Sequence, residues 1–350
     1  MQYAIYFIIS VVLSIGITGI VRLLMMRYNV IDDPKAATRK IHKKPMPLGG
    51  GVGIFITFFS IVGIAFLLGH IGEDIKGAPI IGLAIGGLIL MIGGLWDDIK
   101  TLRPWQQIIF PLAAAIIAIV SGIGIESLTN PTGGVLYLDI YHISIYGLGQ
   151  WMLFADIVVF FWLMAMMFTT KLLDGLDGLA TGIVAIGAGI MFLVTQQQEW
   201  WQPEVGLISL IFFGVCLGFL YWNFHPAKIF LGEGGSLLIG FILGGLAIIS
   251  GSKIATTLLV MGIPMLDMMR VIVRRLKGKR SIFVGDSEHI HFQLLASGAS
   301  QRQAVLLLYG ISCLFGMSTF FLQKSEQLAA LSFLFVLMLL IAAWFNGQKK

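Results

Sequence analysis

The sequence predicts an all-α membrane protein, a polytopic bundle of about ten or eleven transmembrane helices with a short extracytoplasmic β-hairpin. Three observations carry this. First, 57% of the 350 residues are hydrophobic and only 12% are charged, whereas soluble domains carry about 25% charged residues; the mean hydropathy is +0.92. Second, apolar runs approaching the roughly 20 residues that cross a bilayer recur along the whole chain. Third, Lys and Arg fall almost entirely on one side of that succession of runs.

The runs centre near residues 14, 58, 87, 114, 159, 187, 212, 243, 262, 312 and 336. The eighth and ninth are the least separated, joined only by 250–253. The first, Tyr3 to Met26, has no basic segment before it and reads as a span rather than a cleaved leader. Abundant glycine, 43 residues, suits the close helix packing of a membrane bundle. With the N-terminus outside and eleven spans threaded, all but Lys76, Lys253 and Lys324 of the 23 Lys and Arg lie at the cytoplasmic side. A multi-pass protein of the inner (cytoplasmic) membrane is expected, and the net charge of +5 then reports orientation, not nucleic-acid binding. Cys216 and Cys313 sit inside apolar runs and imply no disulfide or metal framework. One outer loop, 134–146, alternates as VLYLDIYHISIY and reads as a hairpin lying on the membrane surface.

The chain is expected to be a single domain, 1–350, with its site built from cytoplasmic loops near 32–51, 96–107, 171–182, 223–236 and 270–303. These loops collect acids: Asp32, Asp33, Asp97, Asp98, Asp174, Asp177, Glu233, Asp267, Asp286 and Glu288. A lone loop carboxylate is usually just solvated. Asp97 and Asp98, however, directly follow the apolar run LILMIGGLW, where a helix C-terminus disfavours anions, so a cation is required nearby. Asp174 and Asp177 stand three apart at an expected helix start, which puts them on one face. Glu233 lies in the Gly-rich turn LGEGGS, a form that can present backbone N–H groups to phosphate. Mg²⁺ takes oxygen ligands, one or two carboxylates plus substrate phosphates. Basic candidates for holding phosphate share the loops: Lys43, Lys44, Lys171, Lys228 and Arg280. His289 and His291 lack the further nitrogen or sulfur ligands of a zinc site, so phosphate binding is their functional reading; two ordinary loop histidines are the bland one.

The motifs RKIHKKPMPLGGGVGIF (39–55), GGLWDDIKTLRPWQ (93–106), LLDGLDGLATG (172–182), GFLYWNFHPAKIFLGEGGSLLIGF (218–241) and HIH (289–291) stand in one order. Together the chain resembles the polyprenyl-phosphate N-acetylhexosamine-1-phosphate transferases, glycosyltransferase family 4, and most of all the undecaprenyl-phosphate GlcNAc-1-phosphate type. The resemblance runs from about Asp32 to Gln303. It implies transfer of sugar-1-phosphate from a UDP-N-acetylhexosamine to a polyprenyl phosphate with release of UMP, an early membrane step of cell-wall or surface glycopolymer synthesis. It implies Mg²⁺ as cofactor, with Mn²⁺ as a substitute. It implies catalytic roles for Asp97, Asp98, Asp174, Asp177, His289 and His291. Substrate contacts fall to His42, Lys43, Lys171, Asn223 and Phe230, the last two toward uridine, and metal contacts to Glu233, Asp98 and Asp174. A homodimer is compatible with the sequence.

Four positions depart from the family pattern: Glu233 for the usual Asp, Lys171 for Asn, Gln107 for Lys, and Phe292 for a further His. Competing readings are the phospho-MurNAc-pentapeptide transferase, since HIHFQ also fits that enzyme's His-rich pattern, a membrane transporter, and an inactive lipid-phosphate binder. Transporters place ionisable groups near the midplane, whereas these acids cluster at span ends; Asp156 is the exception.

Overall fold

A computed structural model describes residues 1–34, 44–125, 127–129, 135–138, 142–145, 149–251, 253–278, 289–322, 326–327, 329–336 and 340. The apolar runs become helices: α1 (Gln2–Arg27), α2 (Gly50–Leu67), α3 (Gly77–Lys100), α4 (Pro104–Val120), α5 (Leu153–Leu173), α6 (Leu179–Thr195), α7 (Pro203–Asn223), α8 (Gly232–Ile249), α9 (Ile254–Lys277), α10 (Ile290–Ala296) and α11 (Gln301–Ser318). A further helical stretch covers 329–336. Ten of the eleven expected centres fall in α1–α9 and α11, and the eleventh at the end of this stretch. Seven of the described helices (α1, α2, α3, α5, α7, α8, α9) are long and apolar enough to cross a membrane, and α4 and α6 are shorter apolar helices. The chain is a multi-pass membrane protein.

Local chemistry sets several boundaries. Proline opens α4 and α7, where its missing N–H costs nothing. A capping box opens α11: Ser300 Oγ accepts the Gln303 N–H at 3.3 Å, and Gln303 Oε1 accepts the Ser300 N–H at 2.9 Å. Tyr309 on α11 donates its hydroxyl to the carbonyl of Gly178, at the start of α6, at 2.5 Å.

Helix α8 is the axis of the bundle. Every residue of it except Glu233 and Ile249 is buried, and α2, α3 and α5 pack against it. Helix α7 lies between α1 and α6, while α9 and α11 close the α6 side. Glycines let these backbones touch. A Cβ on Gly51 would run into the Gly235 backbone, and one on Gly94 into Gly234. The tight α2–α8 and α3–α8 crossings therefore explain much of the glycine in 49–51, 93–94 and 232–235. In LGEGGS, Gly234 and Gly235 therefore serve helix contact, and the Glu233 N–H is given to Asp98 Oδ1 at 3.1 Å.

Two further differences concern local form. The outer segment makes two hairpins where one was expected. Val135–Tyr137 (β4) pairs back onto Ser127–Thr129 (β3), and His142–Ile145 (β5) pairs forward onto Gly149–Met152 (β6), both antiparallel. Each half of the alternating run found a separate partner outside it. Asp174 and Asp177 do not open a helix together. Asp174 ends α5, Asp177 lies in the turn, and α6 starts only after Gly178, whose φ of 79° needs no Cβ. A small antiparallel pair, Ile31–Asp32 (β1) with Met46–Pro47 (β2), leads into α2.

Candidate active site

Four helix ends meet at one end of the bundle: the C-termini of α3 and α5 and the N-termini of α4 and α8. Asp98, at the end of α3, accepts the N–H of Glu233 in the first turn of α8. An anion at that N-terminus is favoured by the helix dipole. Gly232, with φ of 76°, comes against the Asp98 carboxylate, and any Cβ there would collide with Oδ2. Asp97 is buried; its Oδ1 accepts the Leu102 N–H at 2.6 Å and the Gln107 amide at 3.2 Å. From α5, the Lys171 ammonium pairs with Glu233 Oε2 at 2.7 Å and donates to Gln107 Oε1 at 3.2 Å. It is a cation beside the acids at the α3 C-terminus, reaching Asp97 through Gln107.

Asp174 completes the group. Desolvation pushes its carboxyl up to about 8, and the negative charges of Glu233, Asp177 and Asp98 add to the rise. Asp177 turns toward the α7–α8 loop instead: its Oδ2 lies 2.8 Å from His225 Nδ1 and accepts the Ala227 N–H at 3.1 Å.

That loop is stitched to the start of α2. Phe230 donates its N–H to Pro47 O at 3.0 Å and accepts from the Gly50 N–H at 2.9 Å. Asn223 is buried; its Nδ2 donates to Ile229 O at 3.0 Å, and its Oδ1 accepts from Thr181 at 3.2 Å. Asn223 therefore braces the loop that carries Phe230. Lys228 lies over the rings of Tyr221 and Trp222, not among the carboxylates.

The histidines form a second layer. His289 Nδ1 lies 2.8 Å from Asp267 Oδ2, which also accepts the Ile290 N–H at 3.1 Å, while Arg270 holds Oδ1 at 2.7 Å. The His289 and His291 rings lie parallel, 5.6 Å apart, because His289 caps α10 and His291 stands in its first turn. Both are buried. Burial, with His289 as neighbour, pushes His291 down to about 3, so its ring is neutral at working pH. A Cβ on Gly175 would collide with His291 Nε2, so this glycine joins the histidine layer to the Asp174 turn.

The structure thus gathers Asp97, Asp98, Asp174, Lys171 and Glu233, with Asp177 and Phe230 on the surrounding loops, Asn223 at the end of α7, and His289 and His291 at the start of α10. His42, Lys43, Arg280, Asp286 and Glu288 lie outside the described residues. His225, the partner of Asp177, and His289, the partner of Asp267, lie far from those acids in sequence. An Asp–His contact across 22 positions has no local signal.

The carboxylates suit a hard divalent cation. All three expected ligands, Asp98, Asp174 and Glu233, are oxygen donors, and their mutual repulsion, visible at Asp174, calls for positive charge. Among the described residues no three His, Cys, Asp or Glu converge into a preassembled metal cage. Mg²⁺ does not need one when substrate phosphates complete its coordination.

Residues 80–251 match the family model of glycosyl transferase family 4. The chain is 30% identical over 339 residues to a probable undecaprenyl-phosphate N-acetylglucosaminyl 1-phosphate transferase of Bacillus subtilis (strain 168), covering 95% of this chain and 88% of the relative. It is 31% identical over 340 residues to a decaprenyl-phosphate N-acetylglucosaminephosphotransferase of Mycolicibacterium smegmatis, covering 88% and 80%. A phospho-N-acetylmuramoyl-pentapeptide-transferase of Corynebacterium urealyticum is 29% identical over 336 residues, covering 84% and 88%.

Proposed function

The chain belongs to glycosyl transferase family 4, and from that premise we propose that it transfers GlcNAc-1-phosphate from UDP-GlcNAc to undecaprenyl or a similar polyprenyl phosphate, releasing UMP. One observation carries the reading: acids from α3, the α5 turn and α8 meet at one end of a membrane bundle, with the Lys171 ammonium paired to one of them, Glu233. Polyanionic substrates on a lipid carrier need such a place.

A lipid-phosphate oxygen attacks the sugar-bearing phosphorus of the UDP-sugar. A new P–O–P link forms, the old one breaks, and the electron pair leaves on UMP. The nucleophile is already an oxyanion, so the protein supplies positioning and charge neutralisation. Lys171 places one positive charge against the phosphates. Asp98, Asp174 and Glu233 are the residues that would hold Mg²⁺ or Mn²⁺, which supplies further neutralisation when bound. Neutral His291 and its stacked partner His289 back the Asp174 turn through Gly175 and exclude water from behind it. The braced loop 223–231 offers Phe230 for base stacking, worth roughly 1–3 kcal/mol. The lysine and arginine distribution supports a cytoplasmic site in the inner membrane, where UDP-sugars are made.

The test is purified protein in detergent or nanodiscs with Mg²⁺, undecaprenyl phosphate and a panel of UDP-sugars. Lipid-linked product is expected with UDP-GlcNAc. Product only with UDP-MurNAc-pentapeptide would transfer the chain to the peptidoglycan reaction, and no product with any UDP-sugar would remove the proposal.

A further inference from the structure

We propose that Gln107 is a positioning residue for this reaction: it fixes the Lys171 ammonium at the carboxylate cluster with one N–H aimed at substrate phosphate. The inference rests on the phosphoglycosyl transfer proposed above.

The side-chain amide of Gln107 has a determined orientation. Its Nε2 donates to Asp97 Oδ1 at 3.2 Å and to Leu102 O at 3.3 Å, so both amide protons point at oxygen acceptors. Oε1 is thereby turned to Lys171 Nζ, 3.2 Å away. Reversing the amide would set a carbonyl against a carboxylate and an NH₂ against an ammonium. Asp97, buried and holding the Leu102 N–H at 2.6 Å, is the fixed point of this chain of contacts. Its part in the site runs through Gln107.

Lysine has three donors on a flexible four-carbon stem. Without a second acceptor the ammonium swings about its carboxylate partner. Here the ammonium lies 2.7 Å from Glu233 Oε2 as an ion pair and donates one N–H to Gln107 Oε1 at 3.2 Å. A remaining N–H is the one offered to a phosphate oxygen. The lysine joins α5 to α4 and α8, and Gln107 extends the link to Asp97 on α3. A cation carried on α4 with an amide acceptor on α5 would fill the same space with the same charge, because the two side chains already meet end to end.

That equivalence gives the experiment. Four proteins are compared: parent, Gln107→Lys, Lys171→Gln and the double variant. Gln107→Lys alone sets two ammonium groups against each other, and Lys171→Gln alone removes the cation. Each is expected to lower kcat/KM for UDP-GlcNAc by about 10-fold or more, and the double variant to recover to within a few-fold of the parent, a strong coupling of opposite sign to the single losses. Gln107→Met, similar in volume and uncharged, is expected to raise KM for UDP-GlcNAc several-fold with the melting temperature unchanged. Additive losses in the double variant, or parent-like Gln107→Lys, would overturn the proposal. The same cycle is read in melting temperature, which needs no turnover. Coupling in melting temperature without coupling in kcat/KM would make the contact structural and also overturn it. An inactive parent would sink the proposed reaction instead, with the melting cycle still deciding whether the two side chains share one charge.

Discussion

Glu233 reaches Lys171 through one methylene more than an aspartate has, and the 2.7 Å contact uses that length. Shortening the side chain withdraws the carboxylate by about 1.5 Å, the scale of one bond. Glu233→Asp should therefore slow the enzyme, even though aspartate is the residue the family pattern favours. Glu233→Gln, which keeps length and removes charge, should be slower still. Turnover at several Mg²⁺ concentrations, with melting temperature as the folding control, measures both. A Glu233→Asp variant several-fold faster than the parent would mean a degraded rather than a rebuilt site. Asp174 gives a pH signature. Its folded-state pKa of about 8 lies above that of a free carboxyl, so the folded metal-free protein holds this proton more tightly than the unfolded chain. That contribution to stability is fully present near pH 4 and is lost as the pH rises toward 8. The melting temperature of metal-free protein should fall from about pH 6.5 toward 8, the part of this window that no opposing histidine contribution offsets, and Mg²⁺ should oppose the fall most at the alkaline end, where the carboxylate is formed. Identical pH dependence with and without Mg²⁺ would remove Asp174 from the metal site. His291, held neutral by burial down to about pH 3, binds its proton more weakly in the folded protein than in the unfolded chain, so its contribution rises from about pH 3 to 6.5 and offsets that of Asp174 below about pH 6.5.

At the scale of elements, glycine contacts decide how near α2 and α3 come to α8. Gly94→Ala or Gly234→Ala forces two backbones apart and should cost about 1–3 kcal/mol, as overpacking does, together with activity, since Asp98 and Glu233 stand beside that crossing. Gly63→Ala in α2, where a Cβ meets nothing within 4 Å, is the control and should leave both unchanged. Melting temperature and turnover of the three variants check this. The helices themselves were legible because a long apolar run in a membrane has one economical solution: a hydrogen-bonded helix. Less legible was anything set by contact between runs. The glycines of LGEGGS look alike whether they cradle phosphate or admit a neighbouring helix, and only α2 and α3 decide. The alternating residues 135–146 showed strand period but not which strand each half would join. Asp97 and Asp98 were legible because they directly follow an apolar run, Asp174 because Asp177 stands three positions on, and Glu233 because it lies in a Gly-rich turn. Asp267 with His289, and Asp177 with His225, were missed as pairs because 22 and 48 positions separate the partners.

For the whole molecule, the acids gather at one end of a bundle whose described helices expose large apolar side chains along their length, so in the proposed reaction a lipid acceptor can stay in the membrane while its phosphate reaches the acids. In the proposed transfer the bond broken lies between the two phosphates of the sugar nucleotide, not between sugar and phosphate. The measurement that tests it most directly is the identity of the released nucleotide, read by mass spectrometry beside the mass of the lipid product, in one reaction of purified protein, Mg²⁺, undecaprenyl phosphate and UDP-GlcNAc. UMP is expected in equal amount with a lipid that carries two phosphates and one GlcNAc. Release of UDP with a lipid carrying a single phosphate, or lipid product without nucleotide release, would contradict it.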